Sequence, residues 1–246
     1  MQNALWAVLV LVIGILVLRA ITRERREYGR FKRMRRTAAR QRTYRRWLVE
    51  SLVLLGGLSL VVLLAAGGFV QPVLDDVRSA PVIAPALDAL AGGLGIGIAV
   101  GLVVVLAGLI AVTVVVGRSA TEIPALGDVA ALIPRNRAEL WYGAGLSLNA
   151  GVVEELLFRL ALPALLFAVL GNGPLAFALA SVLFGLLHLY QGAAGMAGAT
   201  VLGLVMSALY VATGSILVPM ALHAVIDLRS LVLLPMVVTK AHRIRA

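Results

Sequence analysis

Long apolar runs separated by short polar ones fill most of the chain, at about 4–20, 47–70, 93–117, 143–170, 174–191, 193–213 and 215–237. Each is close to or beyond the roughly 20 residues a helix needs to cross a hydrocarbon core. A segment in lipid must satisfy its own backbone, so the pattern predicts an all-α, polytopic transmembrane helix bundle of about seven spans. The last four are joined by "GNGP" (171–174), "QGAAG" (191–195) and "TGS" (213–215), links short enough to force antiparallel neighbours into a four-helix core. Ala194 with Gly198, and Gly195 with Ala199, space small residues four apart on the sixth span, which predicts close helix approach there. The stretch 71–92 carries Pro72, Pro81, Pro85 and three aspartates and reads as a solvated loop. A second loop, 118–142, has mixed charge, two prolines and a terminal Trp141–Tyr142 pair suited to the headgroup layer. The expected organisation is 1–142 with three plain spans, 143–237 as a catalytic bundle and 238–246 as a basic tail.

Composition agrees with a membrane protein and adds sidedness. Of the residues, 61% are apolar and only 14% charged, far from the soluble average. No cysteine is present, which removes disulfides, thiolate nucleophiles and zinc–thiolate sites, so a metal would be held by histidines and carboxylates. The first segment has no basic residues before it and no small-residue cleavage site after it, and reads as a retained anchor. Of 22 Lys and Arg, 13 lie between Arg19 and Arg46. Placing that segment in the cytosol also places Arg118, Arg135, Arg137 and the tail there, leaving only Arg78 outside, so the expectation is a multi-pass plasma-membrane protein with its N-terminus outside and C-terminus cytosolic. Within the segment, Tyr28, Phe31 and Met34 recur at i+3, as in a helix lying on the bilayer surface, and its arginines make anionic lipids the expected partner. Nucleic acid is not expected, because no reading module accompanies the charge. Abundant Ala, Gly, Val, Leu and Arg suggest a bacterial source.

Ionisable residues inside the last four spans stand against this background. They are Glu154, Glu155, Arg159, His188, His223, Asp227 and Arg229, whereas the first three spans offer only Glu50 near an interface. A charge at membrane depth costs roughly 2.5–3.5 kcal/mol on insertion scales, so such residues face the bundle interior and usually mark a site. Neighbours on a helix are about 100° apart, so Glu154 and Glu155 diverge, while Glu155 and Arg159 are i, i+4 and can pair. One reading leaves Glu154 free in a cavity and neutralises Glu155 with Arg159; the other has both carboxylates share the arginine structurally. His223 and Asp227 share a helix face, as do Phe184 and His188, where the ring would limit the imidazole's rotamers. Two imidazoles and two carboxylates from three helices suit either a divalent metal, zinc first, or metal-free activation of water. By rise per residue, Glu154 lies roughly 17 Å from the cytosolic end of its span and His188 only about 5 Å from its own, which leaves His188 shallow.

"EELLFR" (154–159), "FGLLH" (184–188) and "HAVID" (223–227) resemble, in order, the E-E-x-x-x-R, F-x-x-x-H and H-x-x-x-N/D motifs of the CPBP intramembrane proteases. That family includes the Rce1-like CAAX prenyl endopeptidases and bacterial proteins linked to bacteriocin maturation or self-immunity. The resemblance covers about 143–237. It implies an endopeptidase acting on a membrane-associated protein or peptide. In that reading Glu154 activates water, Glu155, Arg159 and Phe184 support it, and His188, His223 and Asp227 complete a catalytic group that is also the tentative metal-ligand set. Asp227 stands where the prenyl endopeptidases have Asn, and its extra charge would favour a cation. Competing expectations are a non-catalytic membrane scaffold or immunity-type protein, and a proton-coupled transporter. The transporter is disfavoured by the absence of a visible repeat.

Overall fold

The computed structural model describes residues 2–91, 93–120, 123 and 126–245, and 86% of it is helical, with no strand among the described residues. Pro124, one of the two prolines expected in the second loop, lies outside the described residues. Among the described residues, four helical rods, Gln2–Phe31, Thr37–Ser79, Leu189–Thr213 and Leu217–Val237, are long and apolar enough to cross a membrane. Helices α1 (Gln2–Arg19) and α2 (Arg25–Phe31) form the first rod. Helices α3 (Thr37–Ser51), α4 (Gly57–Ala66) and α5 (Val70–Ser79) form the second, followed by α6 (Ala84–Ala91) and α7 (Gly93–Gly117). Helices α8 (Arg137–Glu155) and α9 (Leu162–Leu170) make one charged rod, then come α10 (Gly173–Leu187), α11 (Gly192–Thr213), α12 (Leu217–Leu228) and α13 (Leu234–Val237). The result is an all-α membrane bundle.

Local sequence explains the boundaries. Asn136 opens α8 by accepting from the Glu139 amide at 3.0 Å, and Asn172 opens α10 by accepting from Leu175 at 2.9 Å, the usual N-terminal capping bond. Gly171 and Gly214 close α9 and α11 at φ 68° and 69°, a left-handed conformation that costs glycine little. Among the described residues, four π-helical turns interrupt the rods, at Ala20–Glu24, Leu52–Gly56, Leu156–Ala161 and Arg229–Leu233. Such wide turns frequently accompany functional sites.

One buried core joins both parts of the chain. Leu5, Leu9, Val12 and Leu16 of α1 and Val62 and Ala66 of α4 pack with Leu162 and Leu165 of α9 and Ala176, Ala180 and Phe184 of α10. Large side chains such as Val10, Leu11, Leu64 and Val103 stay exposed on the periphery, where lipid would cover them.

Several expectations are corrected. The stretch 71–92 is not a simple solvated loop: it forms most of α5 and all of α6, and Val73, Leu74 and Val77 are buried in the shared core. Asp76 accepts from the Gly173 amide at the start of α10, and Arg78 donates to Val211 O near the end of α11, so the polar residues of α5 tie two helix ends. The basic segment does not lay its aromatic face on lipid. Tyr28 and Phe31 are buried, with Phe31 packed on Tyr44 and Trp47 at 5.1 and 4.8 Å. The small residues of α11 do not receive another helix at Gly195 and Gly198: these sit against Gly127 and Leu126 of the loop before α8. The close helix approaches occur elsewhere, at Gly185 against Met196 and Thr200, and at Gly203 against Ser181.

Contacts sort the connections into two ends of the bundle. Arg135 donates to Met34 O, Arg137 N to Ile244 O and Asp128 N to Gln191 O, so the basic segment, the second loop, the 188–191 turn and the tail share one end. Gln2 reaches Val169 O, and the α5 ties lie at the other. At about 1.5 Å per residue the 15 residues of α10 span only ~22 Å, short of a ~30 Å hydrocarbon core. The chain turns back at Gly192 (φ 79°), so the fifth helix ends at Leu187, with His188 at its C-terminal cap, rather than running on to 191.

Candidate functional site

Helix α8 and its π-turn supply two glutamates and an arginine, α10 ends on Phe184 and His188, and α12 carries His223 and Asp227. The approach of α8 to α12 brings the first and last sets together. At Gly151 an added Cβ would lie 2.9 Å from both Ala224 Cβ and Met220 O. Only a glycine, one turn before Glu154, permits this, and its contact is the residue after His223.

Glu155 and Arg159 form an ion pair at 3.0 Å with both side chains fully buried. The same carboxylate reaches across helices: Nδ1 of His223 donates to Glu155 Oε1 at 2.6 Å. This turns Nε2 of His223 toward Glu154 Oε2 at 4.0 Å and Asp227 Oδ2 at 3.8 Å. The exposures divide sharply, with 0% for the Glu155 side chain and 5% for His223, but 22% for Glu154 and 31% for Asp227. Among the described residues no hydrogen bond closes either of the last two carboxylates. The site is thus sealed behind His223 and open in front of it.

Phe184 is the apolar centre. Its ring lies 4.5 Å from the Arg159 guanidinium, 4.7 Å from His188, 6.2 Å from His223 and 5.2 Å from Phe158. A guanidinium over an aromatic face is attracted by the ring quadrupole, which steadies an arginine whose terminal nitrogens have no hydrogen bond among the described residues. Nδ1 of His188 donates to Phe184 O at 2.8 Å. A carbonyl only accepts, so in the neutral ring Nε2 of His188 keeps its lone pair.

The sequence-derived residues therefore fall into two groups. Glu154, Glu155, Arg159, His223 and Asp227 contact one another directly, whereas His188 joins them through Phe184. Arg229 lies outside the site and donates to Thr113 of α7 at 2.7 Å. Two neighbours were not foreseen. Tyr190 stacks on His188 at 6.0 Å and 29°, and its phenol is within electrostatic range of Glu154, Asp227 and Glu24. The only hint of it was an aromatic residue two places beyond "FGLLH". Glu24 is the last residue of the π-turn Ala20–Glu24 in the first rod, where it pairs with Arg19, and nothing near it in the sequence linked it to the last four spans.

Both histidines tie Nδ1 to an oxygen, as metal-ligating imidazoles commonly do. No group of three or more His, Asp or Glu among the described residues gathers at metal-holding spacing.

Fold and site together define a polytopic membrane protein with a carboxylate–imidazole cluster buried between its helices. Residues 136–229 match the family described as type II CAAX prenyl endopeptidase Rce1-like. Less than half of the chain is covered by this match, and that part is similar to the Rce1-like family, which is a family of CAAX-type proteases. No curated protein and no solved structure matches the chain.

Proposed function

We propose that the protein is an intramembrane endopeptidase that hydrolyses a peptide bond of a membrane-associated protein or peptide, using water activated by Glu154. The observation that carries this reading is the pair of open carboxylates, Glu154 and Asp227, facing one nitrogen of His223 within an apolar bundle. Glu154 takes a proton from water while Nε2 of His188 accepts the other water hydrogen bond and orients it. The hydroxide adds to the scissile carbonyl carbon. As the imidazolium, with Nδ1 donating to Glu155, His223 also donates from Nε2 to the developing oxyanion, Asp227 compensating the ring's charge, and Glu154 returns the proton to the leaving amine. Glu155 and Arg159 hold the His223 ring from its buried side.

Every step above uses side chains of the protein itself; among the described residues no three His, Asp or Glu lie at metal-holding spacing. A divalent ion, zinc first, is a separate proposal resting on the donor chemistry of His188, His223 and Asp227; elemental analysis of the purified protein tests it. The family description makes a prenylated CAAX tail the first substrate class to try, against an unprenylated membrane-anchored peptide of the same sequence. The proposed location is the plasma membrane with the N-terminus outside, and labelling of single cysteines introduced at Asp88 and Arg33 tests that orientation on a chain that has no cysteine of its own. Exposed arginines at 26, 30, 33, 36, 42 and 45 support anionic lipids as partners on the cytosolic face. Mass spectrometry of co-purified lipid checks this.

The functional test is cleavage of a membrane-anchored reporter by purified protein. Glu154→Gln should abolish it while the bundle stays folded. Full activity of that variant would remove the proposed base, and a cellular phenotype indifferent to Glu154→Gln and His188→Ala would favour the non-catalytic scaffold.

A further inference from the structure

The N-terminal part of the chain, outside the family match, reaches the site at Tyr28. This residue of α2 is buried, and its ring meets the edge of Tyr190 at 5.3 Å and 63°, the edge-to-face geometry aromatic pairs prefer. Tyr190 in turn lies along His188. The His188 imidazole is anchored by one hydrogen bond to its own helix, Nδ1 to Phe184 O, which fixes the tautomer but not the tilt of the ring. Tilt is left to the two aromatic neighbours, Phe184 and Tyr190.

Tyr190 needs bracing of its own. It sits in a short 3-10 turn, Leu189–Gln191, just before the left-handed Gly192. Its hydroxyl accepts from Gln191 Nε2 at 2.9 Å, and the Gln191 carbonyl accepts from Asp128 N at 2.8 Å. Asp128 also pairs with Lys32, and the Tyr28 hydroxyl lies 3.5 Å from it. Tyr28 thus touches the turn through its ring and approaches, through its hydroxyl, the loop that holds the turn.

We propose that Tyr28 is a positioning residue for His188, acting through the Tyr190 ring to hold the imidazole in one orientation. The role rests on the proteolytic reading given above. It makes the basic N-terminal segment part of the working site as well as a topogenic stretch.

Three histidines in the whole chain make a direct test practical. Histidine-labelled protein in nanodiscs gives ring signals for His188, His223 and His242, assignable by single substitutions. Tyr28→Leu should shift or broaden the His188 signal and leave His242 unmoved. On a cleaved reporter, kcat should fall about tenfold with KM little changed, within the roughly 100-fold that a 1 Å misplacement can cost. Tyr28→Phe, which keeps the ring, should restore both. Phe31→Leu, equally buried but packed on Tyr44 and Trp47, is the control for general loosening. An unmoved His188 signal in Tyr28→Leu, or an equal shift in Phe31→Leu, overturns the role. If the wild-type protein cleaves no reporter, the proteolytic reading fails while the His188 signal still decides the structural claim.

Discussion

The two ends of α8 each bury a glutamate against an arginine, and they are finished differently. At the N-terminal end, Glu139 accepts from Arg40 Nε at 3.1 Å on both oxygens and from the Arg135 amide at 3.0 Å. Arg40 also donates to Tyr44 Oη, Ala131 O and Ile133 O, and neither charged side chain is exposed. At the C-terminal end, Glu155 is sealed just as completely between Arg159 and His223, but Glu154 and Asp227 beside it stay partly open and take no hydrogen bond among the described residues. A buried charge must be compensated or it is expensive. Where every oxygen is used, the cluster holds helices together. Where two carboxylates are left over, it can act on something that enters.

The largest effect that would sharpen this contrast is on chemistry alone. Glu154→Gln should lower cleavage by about 10²–10⁴-fold, the usual contribution of a general base, with the thermal midpoint in detergent close to wild type. The opposite signature is expected at the other end of α8. Arg40→Met should cost about 3–5 kcal/mol by stranding Glu139, measured by denaturant unfolding, with activity per folded molecule retained. Adding Glu139→Leu should recover much of that loss. If Arg40→Met instead abolished cleavage in folded protein, the two clusters would not be separable. Gly151→Ala sits between them: its methyl would press on α12, with a cost of about 1–3 kcal/mol and a fall in activity as His223 moves from Glu154.

Within single helices the sequence was readable. The i, i+4 spacing of Glu155 with Arg159, and of His223 with Asp227, appears as contacts at 3.0 and 3.8 Å, because helix geometry alone sets such pairs. Phe184 and His188 pack as their spacing implied. What crosses between helices was hidden. Glu155 to His223 spans 68 positions, and no local rule links them. In α5, three aspartates and prolines across 71–92 masked the face formed by Val73, Leu74 and Val77, and Pro72 falls early enough in that helix to be tolerated. In the basic segment the density of arginines obscured a buried aromatic set, Tyr28, Phe31 and Tyr44, and an arginine, Arg40, that is itself core. The length of the fifth helix was overestimated for a similar reason: "LLHLYQ" is apolar enough to continue a span, and the reversal at Gly192 is a backbone event with no hydropathy signature.

The claim that Glu154 and His188 act on one water is tested most directly by a double-mutant cycle on reporter cleavage, comparing Glu154→Gln, His188→Ala and the double variant. Groups that work as a unit are strongly non-additive, so the double variant should be about as slow as the slower single one. Losses that multiply would contradict the account, because each residue would then be acting on its own.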